Sequence, residues 1–125
     1  MSSFSFKNIS AFSFSFGFAL VALFFNVAAA DTRTFQEVAV EINGAKLWLP
    51  STLIVKKGDT VKIHAVSKVP GKNSVHGFSI DAFQISEVVN EQGKDISFVA
   101  DKAGVFPMHC QMHPAHIGGQ LIVLE

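Results

Sequence analysis

The stretch "GVFPMHCQMHPAHIGGQLIVLE" (104–125) holds two strand-like segments separated by a loop with the chain's single cysteine. Its two ends, "GVFPMHC" and "GQLIVLE", alternate in polarity, as strands do when one face is buried. Cys110, His113 and His116 form a Cys-x2-His-x2-His pattern where the first segment ends. This pattern indicates a metal site. A histidine-rich loop around a free reactive thiol is the alternative interpretation.

Upstream of this stretch, the chain shows the same period of two, broken by turn signals such as Asn43-Gly44. Residues 31–34 are expected to be a loose lead-in, and 85–92 a loop or strand. No window has a sustained helical period, so about seven short strands predict an all-β Greek-key sandwich or barrel. The other strand segments are "FQEVAVEI" (35–42), a pair around Lys57-Gly58-Asp59 in "TLIVKKGDTVKIHAVS" (52–67), "SVHGFSI" (74–80) and "KDISFVA" (94–100).

The first 30 residues are typical of a secretory signal peptide. Lys7 is the only charge before Asp31, residues 16–25 are an apolar run, and Ala28 and Ala30 form a small-x-small cleavage pattern. A membrane anchor is the alternative, but the uninterrupted run is shorter than the roughly 20 residues that a span needs. We therefore expect cleavage after residue 30, export to the periplasm and no stable membrane insertion afterwards.

The remaining residues, 31–125, suffice for one small domain. The whole chain has 10 Lys+Arg and 10 Asp+Glu, so removing Lys7 leaves nine basic against ten acidic residues. This balance gives no electrostatic reason to expect a nucleic-acid partner. A single cysteine cannot form an internal disulfide, so in an exported protein it is a free thiol, an intermolecular bridge or a metal ligand.

The types of donor in the loop narrow the choice of metal. Thiolate and imidazole together suit copper, zinc or iron–sulfur chemistry. Iron–sulfur clusters and structural zinc sites use several cysteines, and this chain has one. A mononuclear copper site needs one thiolate, two imidazoles and a weaker ligand, the second imidazole usually coming from another strand. His76, in "SVHGFSI", is placed for that role.

Several of these segments resemble the cupredoxins. The similarity lies in "HGFSIDAF" (76–83), "ISFVADKAGVFPMHCQMHPAH" (96–116) and "GGQLIVLE" (118–125). Within the family, "GFSIDAF", "ISFVADKAG" and "CQMHP" are similar to nitrosocyanin, the red-copper cupredoxin of ammonia oxidisers. The resemblance implies a cupredoxin-type sandwich over 31–125 and one copper ion per chain, cycling between Cu(I) and Cu(II). It also makes a homotrimer an option.

Carried over residue by residue, the resemblance gives a ligand set. Cys110 matches the thiolate ligand and His113 the equatorial histidine that follows it. His76 matches the first histidine ligand of ordinary cupredoxins, where nitrosocyanin has a glutamate. His116 stands where short-loop cupredoxins have an axial methionine, and it corresponds to the histidine that ends the nitrosocyanin loop. The implied set is three histidines and one cysteine, with Met112 as the alternative fourth ligand.

An imidazole binds copper more strongly than a thioether, so this set predicts a green or red site of lower potential. The leading functional hypothesis is one-electron transfer with a redox protein partner rather than catalysis. The alternatives are a copper enzyme acting on a small nitrogen oxide and a copper-sequestering or copper-tolerance protein. A thiol enzyme built on Cys110 lacks an identifiable oxyanion arrangement. His109, beside Cys110, is expected to point away from the metal, since side chains alternate along a strand.

Overall fold

The computed structural model describes residues 22, 29–71 and 74–125, and these form nine strands and one short 3₁₀ turn, Asp81–Phe83. The all-β prediction is confirmed. The signal-peptide prediction concerns residues that lie, apart from 22, 29 and 30, outside the described part. The strands are β1 (Thr32–Ile42), β2 (Ala45–Leu49), β3 (Thr52–Lys56), β4 (Thr60–Ser67), β5 (His76–Ile80), β6 (Ile85–Val89), β7 (Lys94–Val99), β8 (Gly104–Met108) and β9 (Gly119–Leu124).

The strands form a two-layered sandwich. One sheet has the order β2-β1-β4-β7, with β1 and β4 parallel. The other has the order β3-β9-β8, with β3 and β9 parallel. The β5-β6 hairpin joins the end of β8 through Ser79 and His109, whose backbone N–H groups donate to each other's carbonyls over 2.8 and 3.0 Å. This junction places His76, at the start of β5, near Cys110, just after β8.

The two strands expected in 52–67 are present as β3 and β4, but they do not pair with each other. β3 pairs with β9 and β4 pairs with β1 and β7, so the turn at 57–59 passes from one sheet to the other. Both strands carry buried apolar residues at alternate positions, including Leu53, Val55 and Val61. They can therefore cover the core from opposite layers. Two strands paired as a hairpin would show the same alternation in sequence.

Residues 31–34 are not a loose lead-in, because β1 begins at Thr32 and pairs with β4 from its first residue. Asp59, 2% exposed, holds this segment in place. Its carboxylate accepts hydrogen bonds from the backbone N–H groups of Asp31 (3.1 Å) and Lys56 (2.9 Å) and from Arg33 Nε (3.3 Å). A buried carboxylate satisfied by several donors fixes local structure that polarity alternation alone does not reveal.

The core lies between the two sheets. Trp48, Phe78 and Met108 are buried there, and Phe83, Phe98 and Phe106 pack against it while partly buried. Glu37 is also buried in this core, although neither of its carboxyl oxygens has a hydrogen-bond partner. Among the described residues, no helix has the length and apolar character needed to cross a membrane.

Candidate metal centre

The side chains of His76, Cys110, His113 and His116 meet at one end of the sandwich. Each offers one nitrogen or sulfur atom, and these four atoms all lie within 4.8 Å of one another. The distance from Cys110 Sγ to His113 Nδ1 is 3.5 Å. All four residues of the sequence-derived ligand set are therefore brought together, from a strand and a loop that are more than thirty residues apart.

Two consecutive turns give the loop its geometry. His113 N–H donates to the Cys110 carbonyl over 3.2 Å, and His116 N–H donates to the His113 carbonyl over 3.0 Å. Side chains three residues apart eclipse each other in such i to i+3 turns. The Cys-x2-His-x2-His spacing thus presents its three side chains on the same side of the loop. The rings of His113 and His116 stack with centroids 4.6 Å apart.

The far end of the loop is tied to the opposite sheet. Ile117 N–H donates to the Lys46 carbonyl over 2.9 Å, and Ile117 bridges to Leu47 of β2. At Gly119 any side chain would overlap the Ser51 carbonyl, so only glycine lets the loop enter β9 at this point. These contacts fix the backbone that directly follows His116.

Burial and nearby positive charge act on two of the imidazoles. Burial, together with the charges of His116, His113 and Lys46, lowers the pKa of His76. Burial, then the charges of His113 and Lys46, lowers the pKa of His116. A lowered pKa keeps these rings neutral at neutral pH, the form in which imidazole binds a metal.

The four side chains of the cluster differ in their exposure to solvent. His76 and Cys110 are buried, His116 is half-buried and His113 is exposed. Beside His113 in the loop, the apolar side chains of Met112 and Ile117 are 44% and 53% exposed. These two side chains form an apolar rim beside His113.

The remaining histidines stay outside the cluster. His109 bonds through Nε2 to Asp81 over 3.1 Å, as expected for a residue whose side chain points away from its neighbour's. His64 pairs with Asp95 over 2.6 Å on the exposed face of β4. Met112, the alternative ligand, is an exposed loop residue.

Four residues around the cluster were missed by sequence reasoning. Lys46 places its charge near two of the imidazoles, as their lowered pKa values indicate. Trp48 and Gly77 form a hydrogen-bonded link to Cys110. Gln111 crosses the β5-β6 hairpin, accepting from Ser79 Oγ (2.8 Å) and donating to the Glu87 carbonyl (3.1 Å). Only "His-Gly" at 76–77 offered a signal, since a glycine beside a site residue indicates close backbone approach.

The donor set fits a soft or borderline transition metal. One sulfur and three imidazole nitrogens suit copper or zinc, whereas calcium and magnesium require oxygen ligands. Among the described residues, the four donor atoms have no partner outside the cluster except the Gly77 N–H at Cys110 Sγ. The residues present therefore fit a single ion held by up to four ligands.

Comparison with known proteins identifies the fold. The family model described as "Cupredoxin-like domain" matches residues 15–123. The match begins upstream of Asp31, so the domain boundary at that residue stays a prediction. The nitrous-oxide reductases of Ralstonia nicotianae and Cupriavidus necator are each 35% identical over 66 residues, which is 50% of this chain and 10% of those proteins. The chain thus aligns with about a tenth of their length.

Two solved structures share the architecture. A copper nitrite reductase from Nitrosomonas europaea superimposes with a TM-score of 0.63 at 24% identity, covering 74% of this chain and 41% of that one. A purple cupredoxin from Nitrosopumilus maritimus gives a TM-score of 0.50 at 21% identity, covering 70% of this chain and 97% of that one. At these identities the likeness concerns the fold alone.

Proposed function

This chain belongs to the family of cupredoxin-like domains, and on that premise we propose that it is an exported mononuclear copper protein that transfers single electrons. Copper is the metal that the family, the copper proteins among its structural neighbours and the donor set support. The ligands in this proposal are His76, Cys110, His113 and His116, holding one ion per chain. The observation that carries it is the convergence of these four donor atoms within 4.8 Å.

When bound there, copper would supply reversible exchange of one electron between Cu(II) and Cu(I). The protein's part is to hold the donors in the same places for both oxidation states. Cys110 is held by its position directly after β8 and by the N–H of Gly77, and His76 by β5. The turns that carry His113 and His116 are closed by backbone hydrogen bonds at both steps. Such fixed ligands favour fast electron exchange, since little has to move.

The exposed edge of His113 is the proposed route to a redox partner. An imidazole that touches the metal on one side and solvent on the other brings the site to the surface. Met112 and Ile117 surround it with apolar area that a partner can cover without removing charged groups from water. The partner in this proposal is a redox protein that docks briefly on this apolar rim.

The type of site is a finer proposal. We infer that His116 binds as a fourth ligand and makes the centre green or red, in the manner of a nitrosocyanin-like site. The short distances among the three imidazoles support this, with His76 and His116 ring centroids 5.1 Å apart. The departure from nitrosocyanin is at residue 76, a histidine here. The resemblance to nitrosocyanin also leads us to propose a homotrimer. Sedimentation of the copper-loaded protein tests this oligomeric state.

We propose export because the N-terminal segment has the features of a signal peptide. The fold is compatible with cleavage before Asp31, because both backbone groups of this residue are held. Its N–H donates to Asp59, and its carbonyl accepts from the Thr60 N–H over 2.9 Å. Cleavage after Ala30 would leave the whole of β1 intact. Intact mass of the protein recovered from the periplasm checks this, with the mature chain expected to begin at Asp31.

Cyclic voltammetry of the copper-loaded protein tests electron transfer. We expect a reversible one-electron wave that is unchanged by nitrite, nitric oxide or azide. A sequestering protein would bind Cu(I) tightly and exchange electrons slowly, giving an irreversible wave.

The second candidate is an enzyme acting on a small nitrogen oxide, which the names of the nitrous-oxide and nitrite reductases favour. It predicts that at least one of these small molecules changes the spectrum of the oxidised protein. His76→Ala should abolish the wave in either case, and His64→Ala, far from the cluster on β4, is the matched control.

A further inference from the structure

Trp48 is linked to the cysteine of the cluster through one residue, Gly77. The indole Nε1–H of Trp48 donates to the Gly77 carbonyl over 3.0 Å, and the Gly77 N–H donates to Cys110 Sγ over 3.1 Å. Both hydrogen bonds are buried. We propose that Trp48 is a positioning residue: through Gly77 it fixes the hydrogen bond to the Cys110 sulfur and thereby sets the reduction potential and colour of the copper site. This inference rests on the proposed copper function.

The geometry of a strand explains why the two bonds are coupled. The N–H and C=O of one residue point to the same side of an antiparallel strand. Gly77 pairs with Val88 of β6 on one side and presents both groups to Trp48 and Cys110 on the other. A tilt of the Gly77 backbone that weakens the bond to the indole therefore changes the bond to the sulfur as well.

The indole is itself held firmly. Trp48 is 3% exposed and packs edge-on against Phe78, with ring centroids 5.2 Å apart and an interplanar angle of 85°. Trp48 belongs to β2 of one sheet and Gly77 to β5, which is attached to the other. The Nε1–H bond is thus a buried hydrogen bond that links the two layers at Gly77, the residue after His76 of the cluster.

Gln111 covers the face of Gly77 from which a side chain would project. A side chain at residue 77 would overlap the Gln111 amide and would lie 3.0 Å from the Gln111 backbone nitrogen. Gln111 follows Cys110 directly and is anchored to Ser79 and Glu87. Residue 77 therefore has no room for a side chain.

The chemical consequence follows from charge on the sulfur. An N–H that donates to a thiolate stabilises its negative charge and reduces its electron donation to the metal, which favours Cu(I) over Cu(II). Weakening this bond should lower the reduction potential and move the thiolate-to-copper absorption band to longer wavelength. Groups that orient metal ligands change metal affinity by about 10- to 100-fold when removed. We expect the Cu(I)/Cu(II) affinity ratio to fall by about tenfold.

The experiment uses the fact that the chain has one tryptophan. Biosynthetic replacement by benzothienylalanine, in which sulfur takes the place of the indole N–H, removes the donor and keeps the shape of the ring. Trp48→Phe is the genetic counterpart. The measurements on the copper-loaded protein are the reduction potential and the absorption band, and on the metal-free protein the NMR shift and exchange rate of the Gly77 amide proton. The matched control is Phe83→Leu, which alters packing against Phe98 and Phe106 and touches neither hydrogen bond.

We expect both Trp48 replacements to lower the potential, shift the band and speed the exchange of the Gly77 amide, with copper still bound. Phe83→Leu should lower the melting temperature and leave the potential and band in place. Unchanged potential and band in the benzothienylalanine protein would overturn the proposal, as would an equal shift in Phe83→Leu. Failure of the proposed function would look different, because the wild-type protein would then show no thiolate-to-copper band or would give an irreversible wave.

Discussion

The imidazole rings of His113 and His116 lie face to face, with centroids 4.6 Å apart and planes inclined by 26°. The stacking follows from the two successive turns that begin at the Cys110 carbonyl. By the cupredoxin resemblance, His116 puts an imidazole nitrogen where short-loop members have a methionine sulfur. We therefore expect the identity of residue 116 to determine the character of the proposed copper site.

His116→Met should convert the site toward a blue one. A thioether is a weaker axial ligand than imidazole, so the copper should approach trigonal geometry and its reduction potential should rise. Absorption and electron paramagnetic resonance spectra of the Cu(II) protein provide the measurement. His109→Met is the control, because His109 adjoins Cys110 and is bonded to Asp81 outside the cluster. Identical spectra for wild type and His116→Met would mean that His116 is not a ligand.

The clustering of the three donor side chains in the loop could be predicted from the sequence because their relation is local. A spacing of three residues places side chains together in a tight turn, whatever the rest of the fold does. His76 could be added because it opens an apolar strand segment and because the cupredoxin resemblance calls for a ligand there. The loop residues could thus be identified from their spacing, and His76 from its strand segment and the family resemblance.

The surroundings of the site could not be predicted, since they depend on which strands become neighbours. Lys46 and Trp48 reach the cluster only because β2 lies beside the ligand loop, a tertiary contact without a sequence signal. The placement of β3 and β4 in different sheets has the same origin. Alternating strands on either side of a short turn can pair with each other or belong to opposite sheets. The alternation of apolar and polar residues identifies the buried face of each strand, but it does not specify which strands pair with each other.

Glu37 should make the protein less stable as pH rises. Burial raises the pKa of Glu37 from 4.5 to about 8. Between these two values the folded state binds a proton that the unfolded state has released, so the free energy of unfolding falls as pH rises through this window. The slope is up to about 1.4 kcal/mol per pH unit, and the total is on the order of several kcal/mol.

Glu37→Gln removes this titration. The variant should match the wild type near pH 5 and be more stable than it at pH 9, by urea unfolding of the metal-free proteins. Comparing the two proteins cancels the titration of the histidines, which both share. Glu91→Gln, on the exposed surface, is the control and should follow the wild type. A wild type and Glu37→Gln with parallel pH profiles would show that Glu37 is not buried as described.

Asp59 should stabilise the fold with the opposite pH dependence. Backbone N–H groups of Lys56 and Asp31 donate to its carboxylate and, against the opposing effect of burial, lower its pKa below 3.8. Its contribution is therefore present above the unfolded pKa of about 3.9 and is lost as pH falls through the lower folded value. Asp59→Asn should lower the melting temperature at pH 7, and this difference should narrow below about pH 4.

The control for Asp59 is Asp101→Asn, an exposed substitution expected to leave the melting temperature within error. If Asp59→Asn were as stable as wild type at pH 7, the carboxylate would not be what holds residues 31–33 against β4.

The apolar rim beside His113 should control electron exchange. Ile117→Lys places a charge on this rim, so two molecules meeting there should repel each other and lose apolar contact. We expect the Cu(I)/Cu(II) self-exchange rate, measured by NMR line broadening, to fall by about tenfold at low salt and to recover partly at high salt. The absorption spectrum should stay as in wild type.

Val105→Lys is the matched control for the rim. Val105 is 63% exposed against 53% for Ile117, and it lies on β8 near the strand end remote from the ligand loop. Its substitution adds the same charge elsewhere and should leave self-exchange nearly unchanged. Equal slowing by both substitutions would show that the effect comes from net charge. The rim would then not be the surface through which electrons are exchanged.

A titration of the metal-free protein with Cu(II), followed by visible absorption, tests most directly whether the four clustered side chains form one copper site. We predict an intense thiolate-to-copper charge-transfer band that grows to one equivalent of copper per chain and then stops. The same titration of Cys110→Ser should give no such band. A wild-type protein without the band, a band that persists in Cys110→Ser, or saturation at another stoichiometry would contradict the assignment.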